Sequence, residues 1–237
     1  MAVTDCAYPV LGRFKAAAIF LADDCGAPIG GTDAGWVDQC PGAFAYSANV
    51  TEGEDFERQC ADGSTLVSVP GVDTLTGYQI DLDLHTADPG LWAAVAGATP
   101  VIQGSGQTAE TVGWDVCADS AGSASLFLWR EIVGADACSG PTADPQYLVT
   151  IFPWVDGIRL VEQGTFGGAD SFLRLTGTAR TGHAFGKGPL PIWPGAQAAD
   201  PPTCLTQPLE ASCAVRNVIT TVPWPDDCGF VDVTICT

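Results

Sequence analysis

Basic side chains are scarce in this chain: 9 Lys and Arg stand against 28 Asp and Glu, a formal charge of −19 with an isoelectric point near 4.1. Nucleic-acid binding depends on Lys and Arg displacing counterions from the phosphates, so this balance argues against a nucleic-acid-binding role. Histidine is rarer still. His85 and His183 are the only two, which leaves little material for histidine-built metal sites or catalytic triads. The sequence contains no His-Glu-x-x-His, no Gly-x-Ser-x-Gly, no phosphate-cradling glycine loop with its lysine and no Cys-x-x-Cys pair. The zinc, hydrolase, nucleotide and thioredoxin-like signatures are therefore missing. No catalytic residue, metal or cofactor is expected. Long apolar runs are absent too, none approaching the roughly 18 to 20 residues of a membrane span. The start, Met1-Ala2-Val3-Thr4-Asp5-Cys6, lacks a basic region followed by an apolar run of about 7 to 15 residues, so the expectation is cytosolic synthesis without a membrane.

What is present is a globular composition. Hydrophobic residues make up 46% of the 237 and charged ones only 16%, so the chain can bury a full core as one large domain or one domain with an appendage. Ten cysteines, Cys6, Cys25, Cys40, Cys60, Cys117, Cys138, Cys204, Cys213, Cys228 and Cys236, could form five bridges in an oxidising setting. In reducing cytosol they would remain thiols, acting as small apolar residues, or bind metal. A particle assembled inside a cell and then released would meet both conditions.

Most of the chain reads as short strands separated by Gly, Pro, Asp and Asn, a pattern that predicts a mainly β sandwich or barrel. Alternation is clearest over Tyr78 to His85, with Ile80, Leu82 and Leu84 on one face and Asp81, Asp83 and His85 on the other. Further strands are expected over Phe14 to Leu21, Ala43 to Val50, Leu66 to Val69, Ser125 to Val133, Gln146 to Val155, Ile158 to Gln163, Phe172 to Arg180 and Gly229 to Cys236. One short helix interrupts them. Asp88 can cap it, Pro89 fits its first turn, Gly97 can close it, and Leu91, Trp92 and Val95 form its core face. Three prolines fall within Pro194 to Pro202. This predicts a domain over residues 1–193 and a Pro-rich linker with a cysteine-rich C-terminal arm over 194–237, separable from the sandwich.

Asp81 and Asp83 lie about 7 Å apart along one strand face, near the separation of paired catalytic carboxylates. Alternate acids on a half-buried strand are, however, ordinarily its solvent face. His183 sits in a glycine-flanked turn without an evident partner and reads as structural. Asn49-Val50-Thr51 matches a glycosylation sequon, a chance match without a secretory route. The segment Gly182 to Pro194 is rich in glycine and proline and carries Phe185, Lys187 and Trp193. Such a loop either lines a ligand site or docks onto a neighbouring subunit.

Three segments together resemble the major tail tube proteins of siphophages that infect actinobacteria. The first is Asp81-Leu82-Asp83-Leu84-His85-Thr86-Ala87-Asp88-Pro89-Gly90-Leu91-Trp92 running to Gly97. The second is Leu175-Thr176-Gly177-Thr178-Ala179-Arg180 leading to Gly186-Lys187-Gly188-Pro189. The third is Thr220-Thr221-Val222-Pro223-Trp224-Pro225 followed by Cys228-Gly229, and Ala22-Asp23-Asp24-Cys25-Gly26 is a weaker fourth. Their order and spacing over nearly the whole chain carry the likeness.

The resemblance implies a tail-tube-like β-sandwich or barrel with one flanking helix, stacked as hexameric rings into the conduit for DNA ejection. It carries no catalytic residues across. The implied partners are further copies of the chain and other tail proteins such as the tape measure and tail terminator. DNA passes through without specific binding, and the location is the virion tail, assembled in the host cytoplasm. On this reading Asp81, Asp83 and His85 face an acidic lumen that DNA does not adhere to, while Phe185, Lys187 and Trp193 make subunit or ring contacts. The arm lies on the outside of the tube, bridging subunits, with some of Cys204, Cys213, Cys228 and Cys236 bonded to one another. The competing classes are a secreted, disulfide-rich β-sandwich binding module or hydrolase, and a capsid decoration or minor tail protein.

Overall fold

A computed structural model of the chain describes residues 10–59, 65–85, 88–117, 121–133, 145–163, 172–195 and 200–236. The expectations for Cys6, Cys60, Cys138 and the middle of the Pro194 to Pro202 linker lie outside the described residues. The fold is mainly β. Its strands are β1 (Val10–Leu21), β2 (Gly31–Asp38), β3 (Phe44–Thr51), β4 (Phe56–Gln59), β5 (Thr65–Val69), β6 (Thr74–Leu84), β7 (Thr99–Gln103), β8 (Glu110–Asp115), β9 (Gly122–Val133), β10 (Gln146–Gln163), β11 (Phe172–Arg180), β12 (Arg216–Thr220) and β13 (Gly229–Val233). One helix, α1 (Pro89–Ala96), lies between β6 and β7.

Nine strands make one antiparallel sheet in the order β13-β2-β1-β9-β10-β11-β6-β3, with β12 also pairing β10. The sheet bends back on itself. Phe44 of β3 meets Phe14 of β1 at 6.5 Å and Phe152 of β10 at 5.6 Å between ring centres. The turning point is β10, which pairs β12 over Tyr147 to Ile151 and β11 over Val155 to Gln163. Pro153 sits at this change of partner, where the β9 ladder skips from Phe152 to Val155. A residue without an amide hydrogen is tolerated at such a break in the ladder.

Two cores use opposite faces of the central strands. One holds Ala17, Ile19, Leu126 and Leu128 with Ile80, Leu82, Leu84 and α1. The other holds Ala16, Ala18, Phe20, Phe127 and Trp129 with Phe185, Ile192, Leu209 and Val233. Strands covered on both sides read as continuous apolar runs rather than alternation, which is why Ala16 to Leu21 and Ala124 to Trp129 carry no period of two.

The helix forms as its sequence signals predict. Asp88 accepts hydrogen bonds from the amides of Gly90 at 2.8 Å and Leu91 at 3.4 Å, and Gly97 ends the helix with φ of 62°. Leu91, Trp92 and Val95 are buried, as expected. The glycine is required because this left-handed conformation is costly for other residues.

The C-terminal segment corrects the expectation of a separable arm. Residues 200–236 pack back onto the body: β12 extends β10, β13 extends β2, and Leu209, Ala214, Val222 and Val233 are buried. Leu209 and Val233 belong to the second core, so this segment forms one wall of it, and burying each leucine or valine contributes about 1.5–3 kcal/mol.

Candidate assembly surfaces

The outward face of β6 continues across β11 and β10. Cross-strand pairs Asp81 with Thr176, Asp83 with Arg174, Gln79 with Thr178 and Arg159 with Thr176. Asp81 is half-buried and His85, just past the end of β6, is exposed. Asp83 differs from expectation. It is only 7% exposed, because Arg174 lies over it, with Nε 2.6 Å from Oδ1. A second ion pair joins Arg180 to Asp156 at 3.1 Å. Three acids, Asp81, Asp83 and Asp156, therefore stand against three bases, Arg159, Arg174 and Arg180, a formal sum of zero. The expected acidic face is in fact balanced, since β11 and β10 supply arginines at the positions opposite the acids.

The Gly182 to Pro194 loop also departs in part from the expectation. Phe185 is 4% exposed and packs on Phe127 with ring centres 6.1 Å apart, so it belongs to the chain's own core and not to a subunit contact. Its burial follows from the close fit of the turn: Gly188, with φ of 96°, lies against the Phe185 ring. His183 is structural, as expected. Its Nε2 donates to the Cys213 carbonyl at 2.9 Å, and its Nδ1 accepts from the Phe185 amide at 3.4 Å. That pair of partners defines a neutral imidazole. Burial, the main cause, holds the His183 pKa below its ordinary value. Lys187 is half-buried, while Trp193 is 49% exposed. Trp193 shares a cleft of about 410 Å³ with Leu205, Arg216 and Ile219 beside the β12 edge. It is the most exposed of the three residues expected to make contacts.

Sequence reasoning missed several of the most exposed apolar surfaces. β4 and β5 form a hairpin of their own, separate from the main sheet. At its neck, a Cβ on Gly53 or Gly71 would overlap the backbone of the other. The acids there are occupied, Asp55 accepting from the Gly71 amide at 2.7 Å and Asp73 from the Gly53 amide at 3.2 Å. Phe56, Val67, Val69 and Val72 are exposed, as are Tyr46 and Val50 on the edge strand β3 and Ile102 and Val112 on the β7–β8 hairpin. Apolar exposure concentrated on projecting hairpins and an edge marks contact surface. No period in the sequence reveals it, because these residues alternate as core residues do.

Of the four C-terminal cysteines, Cys204 and Cys236 form a disulfide, whereas Cys213 and Cys228 are free thiols with exposed positions. Cys25 and Cys40 are also free. Among the described residues no three His, Cys, Asp or Glu side chains converge as a metal site, and no helix is long and apolar enough to cross a membrane. The sequence matches no protein-family model and no curated protein.

Proposed function

We propose that this chain is a structural virion protein that self-assembles into stacked rings, hexameric by the resemblance, forming a tail tube through which DNA leaves the particle. The observation that carries the reading is the pair of unpaired edges. Among the described residues, β3 and β13 each pair on one side only, at opposite ends of one antiparallel sheet. Edges of this kind invite strand addition. Joining two different edges is a head-to-tail contact, which closes into a ring when the rotation between copies closes. Other copies of the chain are then the main partners, and tape measure and terminator proteins meet the tube interior and end. The lumen is assigned to the β6–β11 face with Asp81 and His85. Its balanced charge makes it inert to DNA through neutrality rather than through repulsion.

Negative-stain microscopy of the purified full chain at high concentration tests the reading. Rings or tubes, formed with thiols reduced as well as oxidised, are the expected result. A dispersed monomer at all concentrations overturns it and favours the secreted-module class.

A further inference from the structure

The β4–β5 hairpin has two unlike faces. Cross-strand register sets Phe56 opposite Val69 and Arg58 opposite Val67, and residues two apart in a strand share a side. One face therefore carries Phe56, Arg58, Val67 and Val69, all exposed. The other carries Glu57 and Ser68, with the Thr65 hydroxyl donating to Glu57 at 2.9 Å. Arg58 pairs with no acid among the described residues. A two-stranded hairpin is marginal by itself in water. Three apolar side chains and a cation presented together, on a neck fixed by Gly53 and Gly71, are a surface that lacks its cover.

The β13 edge of the main sheet carries a matching surface. Beside the free edge of β13 lies a groove of about 530 Å³, lined by Leu190, Pro191, Phe230 and Val231 with Asp227 and Asp232. The four apolar residues are half-buried, whereas both aspartates are exposed. The groove is thus an apolar trough bearing two negative charges, and the hairpin face is an apolar ridge bearing one positive charge. In a chain of net charge −19 two copies repel on average, so a local site of opposite charge sets their register.

We propose that the Phe56/Arg58/Val67/Val69 face of one copy docks in the β13-side groove of a second copy, with Arg58 set against Asp227 and Asp232. This rests on the self-assembly reading above and adds to it the contact that orients neighbours. The contact is head-to-tail, since ridge and groove are different surfaces of one chain.

Two charge-reversal variants of the full chain test it, Arg58→Asp and Asp227→Arg. Both positions are exposed, so circular dichroism and melting are expected to match the parent, which checks that each variant folds. In sedimentation velocity each variant alone is expected to associate about tenfold or more weakly, because reversal sets like charges together at the contact. An equal mixture of the two is expected to regain association, since the unaltered Arg58 hairpin of the Asp227→Arg variant then meets the unaltered groove of the Arg58→Asp variant. Parent-like association of either variant, or failure of the mixture to recover, overturns the docking while leaving self-assembly standing. A parent chain that stays monomeric overturns both. Recovery in an Arg58→Asp/Asp227→Arg double variant that the mixture does not reproduce would place the contact within one chain and also overturn the proposal.

Discussion

Arg174 on β11 forks onto Asp83 on β6, with Nε 2.6 Å from Oδ1 and a terminal guanidinium nitrogen 3.0 Å from Oδ2. The two residues are directly opposite in the ladder. The hydrogen bond to Asp83, reinforced by the charges of Asp83 and Asp81, holds the guanidinium above its ordinary range. The pair turns a position that alternation assigns to solvent into a buried one.

Arg174→Met is expected to destabilise the fold by about 1–3 kcal/mol, because it leaves a buried carboxylate without its charged donor. The double variant Arg174→Met/Asp83→Leu should recover most of that loss, as replacement of a whole buried pair by apolar groups often does. Urea unfolding of the two proteins decides it. An equal loss in both would mean that the pair is not the source.

Asp81→Lys has a different expectation, since Asp81 is half-buried with no salt bridge among the described residues. Its cost should stay within about 0.5 kcal/mol. On the proposed tail-tube function, virions carrying it should eject DNA more slowly at low salt, where the added cation holds phosphates. Unchanged ejection kinetics would remove this face from the lumen.

Trp92→Ala should cost about 3–5 kcal/mol, the loss of a large aromatic from a core. Trp92 is fully buried, and its indole nitrogen has no hydrogen-bond partner among the described residues. Trp92→Phe should therefore cost clearly less, because it removes a buried donor along with some volume. Thermal melting of both variants separates the cavity from the polar contribution.

The disulfide between Cys204 and Cys236 closes a loop across 32 positions. Cys204→Ala/Cys236→Ala should lower stability by about 3 to 4 kcal/mol through the freed unfolded chain. Removal of residues 200–237 should do far more. It uncovers Phe127, Trp129, Val149 and Ile151, and the product should bind a hydrophobic dye and lose cooperative unfolding. A truncated chain that melts sharply would restore the picture of a separable arm.

His183 gives the fold a pH dependence of defined sign. Its pKa is lowered in the folded state, so the unfolded chain takes up the proton first as pH falls below the ordinary histidine value of about 6.5. The stability from the neutral ring is fully present above that value and is lost as pH falls through the folded pKa. Protonation also sets an N–H at Nδ1 against the Phe185 amide. Unfolding measured from pH 8 downward should show this slope, and His183→Gln should flatten it in that window. An unchanged slope would assign it to other groups.

Features fixed by neighbours in the chain were legible in the sequence. Asp88, Pro89 and Gly97 specify α1 because capping, first-turn and left-handed closing preferences act within a few residues. β6 and β11 announced themselves because one side of each is wet, and alternation records that. The apolar runs of β1 and β9 pointed to strands without revealing that both faces are covered. β2 and β12, which hold few large apolar residues, are strands because of what they pair with, and nothing local said so.

The candidate contact surfaces divide the same way. Whether an apolar side chain lies in the core or at a contact depends on what packs over it, and the sequence does not record that. Phe185, between Ala184 and Gly186, and Phe56, between Asp55 and Glu57, are the same residue type, yet one closes on Phe127 and the other is exposed on a hairpin. Likewise Arg174 covers Asp83 from 91 positions away. The sequence by itself determined the mainly β class, the capped helix and a net charge that disfavours nucleic-acid binding. The tertiary structure decided which acids stay wet, where the C-terminal segment lies and which edges remain open, because each depends on contacts between residues far apart in the chain.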